Sequence, residues 1–221
     1  MPNYTLTRSR RRTLAIYVRD GAVEVRAPLR TPQRDIDAFV ASRAQWINEK
    51  RAQTSERAQQ RAAFSLSYGS SVLLRGTEHT ISAAVPNESN TAFAVPAGLS
   101  PAELMTAVVQ IYRRLAKAHL TERTSHLAEL MGVSPSAVKV NGAKTRWGSC
   151  SAKRSINFSW RLLMADDEVI DYVIVHELAH LRELNHSPRF WAIVAQALPD
   201  YKTRQARLTL LQRRLSVEEW K

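Results

Sequence analysis

The feature that most constrains this chain is the stretch from Val169 to His186. A nearly all-apolar helical pattern there carries His176-Glu177-Leu178-Ala179-His180, an H-E-x-x-H arrangement, with a third histidine, His186, following. An α-helix turns about 100° per residue, so His176 and His180 share one face a turn apart. Two imidazole nitrogens so placed can hold one metal ion, and Glu177, a step round the helix, can reach a water bound to it. Val169, Ile170, Tyr172, Val173, Ile174, Val175 and Leu178 leave almost no polar side, the pattern of a buried helix. Two histidines and a glutamate are costly to bury unpaired, and a metal ion removes that cost.

A catalytic zinc usually takes three protein ligands and keeps one position for water. His186 is the expected third. On an uninterrupted helix it would point roughly 120° away from His180, so the chain has to turn first. Asn185 tolerates the left-handed conformation that ends helices, and Pro188 blocks continuation of the same helix. The turn is therefore expected at Asn185, with Glu183, Asp200, Glu218 and Glu219 left as alternative third ligands. Three neutral imidazoles suit Zn2+ better than calcium or magnesium. The chemistry expected of such a centre is hydrolysis by an activated water, with Glu177 as general base and then proton donor to the leaving amine. Tyr201, Arg161 and Arg146 are the candidates for a second oxyanion donor.

Composition narrows the setting. A chain of 221 residues with 44% hydrophobic residues can bury a sizeable core. Its single cysteine, Cys150, rules out an intrachain disulfide and suits a reducing compartment, and no apolar run is long enough for a membrane span, so a cytoplasmic location is expected. The net charge of +12 attracts polyanions without base specificity. The basic residues are scattered, and no nucleic-acid-binding motif accompanies them.

Along the chain, Thr13 to Pro28 reads as two strands joined at Asp20-Gly21, with Val23, Val25 and Ala27 on one face. Pro32 introduces a helix bearing Ile36, Phe39, Val40, Trp46 and Ile47, followed by a polar stretch to Arg61 that reads as a solvated helix extension or a linker. Short strands are expected at Ser71 to Leu74, His79 to Ala83 and Thr91 to Val95, with a polar turn at Pro86-Asn87-Glu88-Ser89-Asn90. Ser100, Pro101 and Glu103 start a long amphipathic helix that ends at Gly132. Ser155 to Met164 alternates as one half-buried strand, either a sheet edge to which an extended peptide could add or an interior strand paired on both sides. The Trp147 to Cys150 loop, rich in small residues, can line the cleft. Ser187 caps a helix containing Phe190 and Trp191, and a last helix runs from about Asp200 to Leu215. The whole is an α+β chain: a β-rich region with one helix over residues 1–98, then a catalytic domain over 99–221. His79, His119 and His126 are expected to lie outside the metal site.

Lys144-Thr145-Arg146-Trp147-Gly148-Ser149-Cys150, Trp160-Arg161-Leu162, the Val169 to His180 helix and Asn185-His186-Ser187-Pro188-Arg189-Phe190-Trp191 together resemble the YgjP-like family of zinc metallopeptidases. The resemblance implies a zincin-like fold in which His176, His180 and His186 bind zinc and Glu177 is the catalytic carboxylate. The spacing also matches H-E-x-x-H-x-x-G-x-x-H, but Glu183 stands at the glycine position, which argues against the metzincins. A polypeptide substrate follows, with Trp147, Asn157, Arg161 and Tyr201 as candidate substrate contacts. The competing reading is a nucleic-acid-associated protein with a structural metal, or a protease acting on DNA-bound protein.

Overall fold

The computed structural model describes residues 2–19, 21–83 and 92–220. Contacts divide the chain into two compact units, one of residues 1–64 with 216–219, the other of residues 65–215 with 220–221. In the first unit, strands β1 (Thr5–Ser9), β2 (Ala15–Arg19) and β3 (Ala22–Pro28) form a sheet ordered β1-β3-β2, with β1 parallel and β2 antiparallel to β3. Alternation in β3 turns Val23, Val25 and Ala27 onto a buried face, where they meet Ile36, Val40 and Ile47. Asp20 of the expected hairpin turn lies outside the described residues. The apolar stripe that reads as one helix is split at Arg43 (φ −111°, ψ 10°) into α1 (Gln33–Ser42) and α2 (Ala44–Ala63). The polar stretch to Arg61 is helical, and only Ile47 of α2 is buried.

The second unit begins with the hairpin of β4 (Ser71–Leu74) and β5 (Thr77–Thr80). Its turn residues Arg75 and Gly76 both have positive φ, as a tight hairpin twisted with its strands requires. The short strands β6 (Ser82–Ala83) and β7 (Ala94–Val95) pair in parallel, and the polar turn expected between them lies outside the described residues. Residues 65–98, grouped by their strand patterns with the N-terminal region, belong by their contacts to this unit.

Helix α3 (Pro101–Leu130) starts at the Ser100/Glu103 capping box and buries Leu104, Val108, Tyr112, Ala116 and Leu120. It packs on a sheet-and-helix layer made of β8 (Ala137–Asn141), β9 (Gly148–Cys150), β10 (Ser155–Ser159) and α4 (Asp167–Ala179). Here the expected strand from Ser155 to Met164 needs correction. Strand pairing stops at Ser159, and Trp160–Met164 is a 3-10 helix. The alternation misled because burial overrides period: Leu163 is buried alongside Trp160, Leu162 and Met164. The sheet order is β8-β10-β9, so β10 is central, parallel to β8 and antiparallel to β9. The sheet edges are β8 and β9.

Helices α5 (Pro188–Ala197) and α6 (Tyr201–Leu215) pack on α4. Asp166 caps α4 through its side chain, and its first turn is tied on two sides. Arg75 pairs with Asp167, while Arg207 pairs with Asp166 at 2.8 Å. Farther along, Arg123 of α3 grips Asp171 with two bonds of 2.6 and 2.7 Å. Gly76 is needed here, because a Cβ would meet the Asp166 Cβ at 2.8 Å. The helix that carries the histidines is thus fixed along its length. No described helix is long and apolar enough to cross a membrane.

Candidate metal centre

The three histidines of the motif converge. One nitrogen from each of His176, His180 and His186 lies within 4.8 Å of the others, and this is the only such group of three among the described residues. Their rings stand 4.8 to 5.1 Å apart, centroid to centroid, and all three touch the ring of Phe190 at 4.5 to 4.9 Å. Phe190 is fully buried and forms the floor beneath the imidazoles. Pro188 and Ser187 place it there: Ser187 accepts a hydrogen bond from the Phe190 N–H and starts α5 immediately after His186.

The turn that aims His186 differs from the one expected. Helix α4 ends at Ala179, with His180 already its C-cap. The N–H groups of Leu181 and Arg182 bond back three residues to Leu178 and Ala179, tightening the last turn. Asn185 is not left-handed, since Arg75 and Arg154 are the only non-glycine residues with positive φ among those described. The chain turns earlier, in a tight turn that begins at His180. His180 Nδ1–H donates to the Glu183 carbonyl at 3.1 Å, holding the turn that follows the helix. That bond also fixes the tautomer, leaving the Nε2 lone pair free to bind a cation.

The donor set fits a zinc-like ion. His176 Nε2 and His186 Nε2 are 3.0 Å apart, near the roughly 3.3 Å that two nitrogens about 2.05 Å from a tetrahedral zinc would show. Burial, then the charges of His180 and His186, push the His176 pKa down to about 4. Burial also lowers that of His180. Both imidazoles are therefore neutral at pH 7, the form that binds metal. His176 Nδ1 is buried without a partner.

Glu177 is 6% exposed. Burial pushes its pKa up to about 7, against the opposing pull of the Arg146 charge and a backbone hydrogen bond from Cys150. One oxygen, Oε2, has no hydrogen-bond partner. A carboxylate of this pKa with one free oxygen is suited to take up and release a proton. Its partner strand is β9, and the contact depends on Gly148. A Cβ on Gly148 would fall 2.6 Å from Glu177 Oε1 and 2.7 Å from its Cγ. The expectation that the small-residue loop could approach the site closely identified the segment, but no spacing in the sequence singled out Gly148 or the Cys150 N–H.

The remaining candidates separate. Trp147, half-buried, leads into β9, and its carbonyl accepts from the Ser159 N–H at 2.8 Å, placing it at the sheet edge next to Gly148. Asn157 is not brought to the site. Gly148 opposes Phe158 and faces Glu177, so by the alternation of a strand Asn157 lies on the other face. Arg161 is committed elsewhere: it donates to the carbonyls of Gly142 at 3.0 Å and Trp220 at 2.8 Å, with its guanidinium 4.6 Å from the Trp160 ring centroid. Arg146 is exposed, and its charge reaches Glu177. Tyr201 stacks on Trp191, which itself lies 5.9 Å from both His176 and His186. Tyr172, read from the sequence only as part of the apolar helix face, sits one turn before His176 with ring centroids 6.1 Å apart. His79, His119 and His126 do not join the cluster.

Two solved structures are similar to part of the chain. The metallopeptidase zymogen abylysin of Pyrococcus abyssi is 24% identical over 42% of this chain and 95% of its own, with a TM-score of 0.40. The metallopeptidase zymogen jannalysin of Methanocaldococcus jannaschii is 18% identical over the same shares, with a TM-score of 0.37. No curated protein matches the chain. The model of the YgjP-like family, described as a metallopeptidase domain, matches residues 12–210 and so spans both the histidine cluster and the sheet edge beside it. By that match the chain belongs to the YgjP-like family of metallopeptidases.

Proposed function

We propose that the chain is a zinc-dependent peptidase in which His176, His180 and His186 hold the metal and Glu177 is the general base. The observation that carries this reading is the juxtaposition of three converging imidazoles with a buried carboxylate whose pKa is about 7. A structural metal has no use for such a carboxylate beside it. Bound zinc supplies a lowered pKa for its water and polarisation of the scissile carbonyl.

The chain's own residues do the rest. Glu177, held on β9 by the Cys150 N–H, takes the proton of the attacking water on its free oxygen and passes it to the departing amine nitrogen. Phe190 and the Glu183 carbonyl keep the imidazoles in place. β9 is an outer strand of its sheet and lies against Glu177, so an extended polypeptide added to that edge would pass its backbone by the carboxylate. Such pairing recognises backbone and leaves selectivity to side-chain contacts. Purified protein should bind one equivalent of zinc and cleave an unfolded protein. Glu177→Gln should keep the zinc and lose cleavage by about 100- to 10,000-fold. Retained cleavage in that variant would overturn the assignment of Glu177, and a wild type that neither binds zinc nor cleaves would overturn the whole reading.

A further inference from the structure

From His186 a short column of aromatic rings runs outward. The His186 and Trp191 rings are 5.9 Å apart and inclined by 34°, and those of Trp191 and Tyr201 are 5.4 Å apart and inclined by 19°. Trp191 and Tyr201 are both only half-buried. Support for the metal ligands does not explain them, because the buried Phe190 already touches all three imidazoles. Two large rings left partly wet, Trp191 against His176 and His186 and Tyr201 against Trp191, form an apolar surface beside the histidines.

The surface is held rigidly. Tyr201 is the first residue of α6, and its N–H donates to the Leu198 carbonyl at 3.1 Å. Farther along α6, Arg204 donates to the Glu168 carbonyl at 3.0 Å and Arg207 pairs with Asp166, so the helix is fastened to the first turn of α4. Tyr172, 4% exposed, lies on another side of His176, with ring centroids 6.1 Å apart.

We propose that Trp191 and Tyr201 form the subsite that receives an aromatic or large aliphatic side chain of the residue next to the scissile bond. This makes the chain selective for polypeptides unfolded enough to present such a residue. A neutral aromatic face also attracts cations, but a protein of net charge +12 repels cationic substrates, which leaves apolar side chains favoured. The inference rests on the peptidase reading, and its test separates the two.

Peptides identical but for one residue, Phe or Ala, next to the cleaved bond are compared on the zinc-loaded full chain. Wild type should prefer the Phe peptide in kcat/KM on the order of tenfold. Tyr201→Phe keeps the ring and should keep the preference. Tyr201→Ala should bring the ratio towards one while zinc content is unchanged, and Trp191→Leu provides a second arm. Calorimetry on Glu177→Gln should show the same preference in binding, without catalysis. An unaltered ratio in both subsite variants, or equal use of the two peptides by wild type, overturns the subsite. Absence of any cleavage by wild type sinks the peptidase reading alone, and the subsite then stands or falls on the calorimetric preference. Loss of turnover on both peptides in Tyr201→Phe would instead assign the hydroxyl to oxyanion stabilisation.

Discussion

Gly148→Ala is the sharpest perturbation available, because it adds one methyl group at a known distance from the reactive carboxylate. That Cβ would lie 2.6 Å from Glu177 Oε1, 2.7 Å from Cγ and 2.9 Å from Cδ, where ordinary contact begins at 3.4 Å. Either Glu177 or β9 must therefore retreat by about 0.8 Å. The strand has little freedom, since Gly148 and Cys150 are paired with Phe158 and Ile156 of the central strand. Glu177 stands on a buried helix tied at Asp166, Asp167 and Asp171, so the displacement falls mainly on its side chain. Misplacing a catalytic group by about 1 Å costs on the order of 100-fold in rate. Overpacking costs about 1–3 kcal/mol, offset in part by the roughly 0.4–1 kcal/mol that Gly→Ala contributes by restricting the unfolded chain. The assay is kcat/KM on a peptide, with zinc content and thermal midpoint measured on the same sample. The expected result is a loss of about 100-fold in kcat/KM, full zinc content and a midpoint lowered by a few degrees. Activity within twofold of wild type with an unchanged midpoint would refute the close approach of β9 to Glu177.

Titration of the metal-free protein gives a second check. The folded pKa of Glu177, about 7, lies above its ordinary value of 4.5, so the folded state holds more protons than the unfolded one between those limits. Stability contributed by the protonated carboxyl is present below pH 4.5 and is lost as pH rises to about 7. Metal-free Glu177→Gln should accordingly gain stability relative to wild type across that window in urea denaturation, and a flat difference curve would contradict the burial of the carboxylate. Phe190→Ala removes the fully buried floor under three imidazoles and should cost about 3–5 kcal/mol. It should also weaken zinc binding in competition with a chelator, and unchanged zinc affinity would show that the histidines hold their geometry without it.

The centre was legible because its chemistry is local: His176, Glu177 and His180 sit within one and a half turns, and the apolar residues around them declare a buried helix. Ser100 with Glu103, and Ser187 with Pro188, are likewise signals carried by neighbouring residues, and the helices they start begin where expected. The misreadings all concern information that arrives from elsewhere in the fold. Trp160 to Met164 continues the alternation of a strand, but the chain leaves the sheet after Ser159 and buries Leu163 as well, which periodicity alone cannot anticipate. Asn185 has the chemistry of a helix terminator, yet the helix ends at Ala179 and the turn after it is held by the bond from His180 to the Glu183 carbonyl. Arg161 and Asn157 looked like site residues by their polarity. The first is spent on backbone carbonyls, and the second faces away from α4, a distinction set by the register of β10 against β9. The role of Gly148 depends on the register between β9 and β10 and on the approach of α4.

Zinc-edge X-ray absorption on the zinc-loaded chain tests the central claim most directly, since it counts the ligands and identifies their atoms. Ligation by His176, His180 and His186 with one open position predicts three nitrogens at about 2.0–2.1 Å and one light oxygen scatterer, with the nitrogen count falling in His186→Ala. A sulfur at about 2.3 Å, which would have to come from Cys150 or a second chain, or four protein ligands closing the shell, would contradict a metal poised for hydrolysis.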